Sequence, residues 1–268
     1  QKIFQYLKDR KLHVSIYTCG VIKNAEGKLC PIDEKYFVEL LNLGLERVIF
    51  SLHGQNTYVQ DQIANTDGSF DMVMRSLDSA MKTGVNVELH IVPMKMNLYG
   101  IEDILRLARD KGITKVSLLR FVPQGRGSLC MEPSKKDYLW LKEEYLKWQK
   151  KYPRIHIRMG TPYNCLTLDG KNCTAGQDKL LINAYGEYMP CEAFKYMHGN
   201  RPTIYDTPLK KVWQEDKLLN ALRCLKLQDV TICSNCPLKA KCKGGCPGQR
   251  MHRNGSLLTG PDPSCIEG

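Results

Sequence analysis

Cys233-x2-Cys236-x5-Cys242-x3-Cys246 is the densest run of reactive side chains in this sequence, and Cys265 follows it in Pro-Asp-Pro-Ser-Cys. Upstream stand Cys165, Cys173 and Cys191, the last completing Gly186-x4-Cys191. Together these are eight of the 12 cysteines in the chain. Thiolates at short fixed gaps suit metal ligation. A soft iron–sulfur cluster takes four thiolates, and one or two short loops can supply them. Eight ligands would hold two four-cysteine clusters. Zinc is the rival, because Cys-x2-Cys pairs also build zinc ribbons. Disulfides suit short secreted scaffolds, whereas this chain has 268 residues and opens with nothing like a signal peptide.

The elements that must position these groups come in two styles. Over the first half, strand and helix signals alternate. Residues 12–18, 47–52, 86–94 and 115–122 read as strands, and 31–43, 70–82 and 99–111 as helices between them, with Gly84 and Gly112 closing two of these. Such alternation predicts βαβ units and a parallel sheet. A longer charged helix is expected over 134–152, then a short strand over 154–158. Beyond Met159, Cys, Gly and Pro become frequent, and only 208–222 reads as a periodic helix. A hairpin is expected over 180–190, turning at Tyr185-Gly186. The boundary is therefore placed near residue 160, with an α/β unit over 1–160 and a Cys-rich unit over 161–268.

Apolar residues make up 43% of the chain, enough for a sizeable core. No run of 18 apolar residues occurs, so no membrane span is expected. So many unpaired thiolates point to a reducing cytoplasm. The formal charge of +11 is spread along the chain. It reads as a solvated basic surface, or as attraction for an acidic partner peptide. No nucleic-acid-binding motif accompanies it. The chain starts Gln1-Lys2-Ile3, without an initiator Met, as a piece of a longer polypeptide would. Four βα units are also too few to close a barrel, and an unpaired edge strand is an aggregation hazard.

The C-terminal part resembles the twin-cluster domain of the radical SAM/SPASM enzymes. Cys173-x12-Gly186-x4-Cys191, then Cys233, Cys236, Cys242, Cys246 and Cys265, match that family's signature. So do Leu181-Ile182, Met189-Pro190-Cys191, His198-Gly199-Asn200, Val212-Trp213, Gly244-Gly245-Cys246-Pro247-Gly248 and Asp262-Pro263. The first half is similar to the later strands of the radical SAM partial barrel. Thr18-Cys19-Gly20, Ser51-Leu52-His53-Gly54, Ile91 to Asn97 and Leu119 to Arg126 carry that likeness. One departure is large. The family's Cys-x3-Cys-x2-Cys, which holds the SAM-cleaving cluster, is absent here, as is Gly-Gly-Glu-Pro. The resemblance implies that the first two βα units lie upstream.

It also implies roles. One auxiliary [4Fe-4S] cluster would use Cys165, Cys173, Cys191 and Cys246, and a second Cys233, Cys236, Cys242 and Cys265. Ser51, Asn97 and Arg120, at strand ends, would touch the ribose and carboxylate of S-adenosyl-L-methionine (SAM), and His53 could line the same mouth. Glu192, directly after Cys191, would be a general base. Cys19, Cys30, Cys130 and Cys224 are left as ordinary thiols. Met72, Met74, Met81, Met94 and Met96 are expected to fill the core. The implied activity is modification of a peptide or protein side chain through a 5′-deoxyadenosyl radical: a thioether or carbon–carbon cross-link in a ribosomal peptide, or Cys/Ser oxidation. A third [4Fe-4S] cluster and a ferredoxin- or flavodoxin-like electron donor would be needed. Two other classes remain open, a non-catalytic two-cluster electron-transfer or substrate-binding protein and a zinc-ribbon binding module.

Overall fold

The computed structural model describes residues 2–195, 197 and 199–267, arranged in two compact units. The first holds the residues up to Leu119 together with Glu143–Met159; the second holds Arg120–Lys142 and the residues from Gly160 onward.

In the first unit, helix α1 (Lys2–Asp9) precedes β1 (Val14–Thr18). A hairpin of β2 (Val21–Lys23) and β3 (Leu29–Pro31) comes next. Then come α2 (Glu34–Asn42), β4 (Leu45–Ser51), α3 (Thr57–Ala64), α4 (Ser69–Lys82), β5 (Asn86–Ile91), α5 (Ile101–Asp110) and β6 (Lys115–Leu118). Helix α6 (Lys135–Lys151) starts in the second unit and ends in the first, where β7 (His156–Met159) follows. Five strands form one parallel sheet in the order β1-β4-β5-β6-β7. A helix between successive strands permits parallel pairing, because it returns the chain to the starting edge. The expected α/β class with a parallel sheet is the one this chain adopts.

Alternation along each strand sorts side chains by face. Val48, Phe50, Val87, Leu89, Ile91, Val116 and Leu118 are all buried. Helix α2 packs against β4, and α4 against β5. The other face carries Arg47, Glu88, His90, Ser117 and Arg158. In register, Ser51 lies beside His90, His90 beside Ser117, and Ser117 beside Arg158.

The short strand expected over 154–158 forms as β7 (His156–Met159) and extends the sheet beside β6. The hairpin β2–β3 and helix α3 were not foreseen, because three-residue strands carry no readable period. Helix α3 is set by its caps: Asn56 Oδ1 accepts from Val59 N at 3.0 Å, and Asn65 closes the helix at φ 53°. Its Asp61 also caps α4, accepting from Gly68 N and from Phe70 N at 2.8 Å. Among the methionines, Met94 is buried, but Met96 is exposed.

The second unit is loop-rich. It contains α7 (Asn164–Thr167), the antiparallel pair β8 (Leu181–Ile182) and β9 (Tyr188–Met189), α8 (Leu209–Glu215), α9 (Lys217–Arg223), α10 (Lys239–Cys242) and α11 (Pro247–Asn254). The β8–β9 turn uses Gly186 at φ 80°. The single helix expected over 208–222 breaks at Asp216, whose carboxylate caps α9 through Leu219 N at 2.9 Å and pairs with Arg201 at 2.9 Å.

Candidate metal centre and strand-end site

All eight candidate ligands lie in the second unit, as free thiols. Cys165 is in α7, and Cys191 heads a 3-10 turn, Glu192–Phe194. Cys242 ends α10, and Cys246 is the N-cap of α11 with Pro247 after it. Between them Gly244 and Gly245 sit at φ 75° and 67°, a left-handed pair that side-chain-bearing residues rarely adopt. A Cβ on Gly245 would lie 2.6 Å from Cys165 Sγ and 2.7 Å from Asp262 Oδ2. The Gly-Gly turn thus gives the backbone close approach to a thiol and a carboxylate.

The thiols fall into two neighbourhoods. Cys246 is buried, and Cys173 and Cys191 pack on the same cluster with Met189, Phe194 and Ala193. Burial pushes the Cys246 thiol up to about 12, with the Asp262 carboxylate adding to the effect. Cys233, Cys236, Cys242 and Cys265 form the second neighbourhood, close enough to repel one another as thiolates. Cys165 stands at the junction. Its Sγ is 3.6 Å from Cys242 Sγ, while it also lies against Gly245, the residue before Cys246. The hydrogen bond shared with Cys242, in which Cys165 keeps the proton, and then burial push the Cys165 thiol upward. The geometry therefore joins Cys165 to Cys242 as well as to the loop of Cys246. Metal loading would release the protons of these thiols.

Asp262 organises the ligand loops. It accepts from Cys246 N at 2.8 Å, Ser264 N at 2.7 Å and Ser264 Oγ at 2.8 Å. Cys265 N donates to its carbonyl at 2.8 Å. Its remaining partner is Arg120, at 3.0 Å, a buried ion pair. Arg120 further donates to Tyr138 Oη at 3.1 Å, Pro162 O at 3.1 Å and Ser264 Oγ at 2.6 Å. Its guanidinium is thus engaged within the second unit through Nε, Nη1 and Nη2. Burial works against its charge, but Asp262, Tyr138, Tyr163 and Cys246 together outweigh burial and raise its pKa.

Asn97 is likewise held by hydrogen bonds. It is fully buried in the first unit, accepts from Met94 N at 2.7 Å, and donates to His53 O at 2.7 Å and Val92 O at 2.9 Å. Both its donors are used in shaping the ends of β4 and β5. Gly54 belongs to the same corner: a Cβ there would fall 2.2 Å from Gln60 N. Ser51 is half-buried at the end of β4. His53 Nδ1 accepts from Val92 N at 3.2 Å. Burial, then the nearby His90, lowers the His53 pKa to about 4.

Behind this corner lies a network that strand-end reasoning did not find. Glu88 Oε1 accepts from Ser117 Oγ at 2.7 Å and lies 3.0 Å from His90 Nε2. Arg47 approaches Glu88 at 3.4 Å, and Arg158 Nε donates to Ser117 Oγ at 3.2 Å. Burial alone would raise the Glu88 pKa, but Ser117, His90 and Arg47 together lower it. The visible signal was Glu88 and His90 alternating with Val87, Leu89 and Ile91 inside one strand.

These groups predict acid sensitivity. His53 binds its proton near pH 6.5 when unfolded but near 4 when folded, so its contribution is full above pH 6.5 and falls as pH drops towards 4. Lowered Glu88 acts in the same direction at still lower pH. Between pH 7 and 5 the stability of the first unit should fall by about 2 kcal/mol from His53, less whatever solvent screening remains. Urea unfolding at both pH values measures it. His53→Gln should flatten the dependence; an equal slope in the variant would remove His53 as its source.

Glu192 is half-buried beside Cys191. Its carbonyl accepts from Gln124 Nε2 at 2.8 Å. Of the remaining cysteines, Cys19, Cys130 and Cys224 are exposed and Cys30 is half-buried. His198, part of the resemblance, lies outside the described residues.

Among the described residues no three His, Cys, Asp or Glu side chains converge closely enough to hold one metal ion. The fit to an iron–sulfur group therefore rests on the donors: eight soft thiols in two neighbourhoods, the nearby Asp262 carboxylate being engaged by Cys246 N, Ser264 and Arg120.

Comparison with known proteins agrees. A family model described as an iron–sulfur cluster-binding domain, SPASM, matches residues 173–237. The mycofactocin maturase MftC of Mycolicibacterium smegmatis is 30% identical over 82% of this chain and 57% of its own length. The AdoMet-dependent heme synthase of Methanosarcina barkeri is 25% identical over 99% of this chain and 77% of its own. The crystal structure of Streptococcus suis SuiB bound to the precursor peptide SuiA shares the fold, with a TM-score of 0.76 at 16% identity, over 99% of this chain and 61% of that one. This chain thus spans little more than half of its maturase relative. Residues 173–237 thus match the SPASM iron–sulfur cluster-binding domain, and the chain shares its fold with SuiB.

Proposed function

We propose that this chain is part of a radical SAM/SPASM enzyme that modifies a side chain of a peptide or protein, forming a thioether or carbon–carbon cross-link or oxidising Cys or Ser. The observation that carries the reading is the gathering of eight thiols in one unit, of which residues 173–237 match the SPASM domain. The maturase relative supports a peptide substrate. Cys165, Cys173, Cys191 and Cys246 would hold one auxiliary [4Fe-4S] cluster, and Cys233, Cys236, Cys242 and Cys265 the other. SAM with a third cluster, held by upstream sequence, would supply a 5′-deoxyadenosyl radical that removes a substrate hydrogen. Ser51 would face SAM directly; Asn97 would act by fixing the strand ends and Arg120 by fixing the ligand loops. Glu192 would take the substrate proton. Electrons would come from a ferredoxin- or flavodoxin-like donor in the cytoplasm. Among the described residues no helix is long and apolar enough to cross a membrane.

A second reading follows from the AdoMet-dependent heme synthase, which matches nearly the whole chain: radical chemistry in heme synthesis. One experiment separates the two. The full-length protein, reconstituted anaerobically with iron and sulfide, is given SAM, a reductant and either a Cys-containing peptide or a heme precursor. Peptide mass loss corresponding to a pair of hydrogens, reduced in Glu192→Gln, is the expected result. Conversion of the heme precursor alone would replace the peptide reading. Loaded clusters without SAM cleavage would mean a non-catalytic electron-transfer or binding protein, and a colourless protein holding zinc would overturn both.

A further inference from the structure

Two guanidinium groups are buried in the second unit, Arg120 and Arg250. They differ in what neutralises them. Arg120 has Asp262. Arg250, on α11, is 1% exposed. Its Nη1 donates to Leu257 O at 2.7 Å and its Nη2 to Gly244 O, both neutral carbonyls. Its Nε is buried with no hydrogen-bond partner. Among the described residues no carboxylate pairs with it. A buried cation without a counter-charge is expensive, by several kcal/mol even after relaxation. An anion must therefore come from somewhere close.

The Gly244 turn shows where. A Cβ built on Gly244 lies 3.2 Å from Arg250 Nη2 and 3.8 Å from Cys233 Sγ. The guanidinium and that thiol are thus within about 7 Å of each other, a range at which charges interact strongly away from water. Cys236, Cys242 and Cys265 share this neighbourhood.

We propose that Arg250 is the buried counter-cation of the cluster held by Cys233, Cys236, Cys242 and Cys265, and that it sets that cluster's reduction potential. The inference rests on the proposed ligand set. A thiolate-ligated cluster carries net negative charge, and one-electron reduction adds one more unit. A fixed positive charge beside it stabilises the reduced form more than the oxidised one, and so raises the potential. Arg250 acts as a positioning residue through the electrostatics of the site and touches no substrate.

The test uses the full-length protein reconstituted with iron and sulfide, with Arg250→Gln and Arg250→Lys beside it. Iron is counted, and cluster potentials are read by redox titration followed by electron paramagnetic resonance. Arg250→Gln should shift one cluster to a lower midpoint potential, leave the others unchanged and retain its iron. Arg250→Lys should keep that potential near the parent's. Selective loss of one cluster in Arg250→Gln but not in Arg250→Lys would also support a charge role. Unchanged potentials in a fully loaded Arg250→Gln protein, or equal iron loss in both variants, would overturn it and leave packing as the role of the side chain. A parent protein that takes up no iron would instead overturn the ligand assignment itself.

Discussion

Asp262→Ala should destabilise the protein by about 3–5 kcal/mol and lower its iron content, although Asp262 is not itself a proposed ligand. The substitution leaves the Arg120 guanidinium buried without its counter-charge. It also removes the acceptor of Cys246 N and Ser264 N, freeing both ligand-bearing loops at once. Arg120→Met should cost less, because Asp262 keeps its contacts to those two amides and to the Ser264 hydroxyl. The double variant Arg120→Met/Asp262→Ala should cost less than the sum of the single changes, since each single change strands one buried charge. Denaturant unfolding of the iron-loaded and iron-free protein, with iron assayed in parallel, measures all three. A loss below about 1 kcal/mol for Asp262→Ala would show that the pair does not hold the loops together.

How much of this was legible beforehand depends on the length of the signal. The parallel sheet was, because Val48 and Phe50, Val87 to Ile91 and Val116 to Leu118 repeat one pattern between helices. The Tyr185-Gly186 turn was, because only a small set of residues tolerates φ 80°. The hairpin at residues 21–31 was not, being too short for a period. Nor was the break at Asp216, where a capping carboxylate overrides continuous helical periodicity. The eight thiols stood out by spacing, but their grouping in space did not. Arg120 shows the limit most clearly. As a residue at a strand end it resembled a cofactor contact, yet its partners Ser264 and Asp262 lie more than 140 residues away. Likewise Asp262 was visible only as part of Asp-Pro, and Arg250 only as one Arg among many. Long-range pairing of buried charges leaves no local pattern to read.

Cys246→Ala should remove about half of the iron held by this domain, roughly four of eight atoms, and leave the second cluster's spectrum intact. Cys246 shares its neighbourhood with Cys173 and Cys191, and alanine keeps the backbone amide that Asp262 holds. Loss of a ligand rather than of the fold is therefore what the variant reads. Cys165→Ala is the sharper companion, because Cys165 Sγ lies 3.6 Å from Cys242 Sγ and beside Gly245 as well. The set of Cys233, Cys236, Cys242 and Cys265 has four thiols without it; the set of Cys173, Cys191 and Cys246 has three. A cube with four iron corners wants four ligands, so Cys165→Ala should resemble Cys246→Ala in iron content and in spectrum. The double variant Cys165→Ala/Cys246→Ala should then lose no more iron than Cys246→Ala alone, because both ligands serve one cluster. A further loss in the double variant, or a Cys165→Ala spectrum matching that of Cys236→Ala, would move Cys165 to the second cluster and make its contact with Cys242 part of that site.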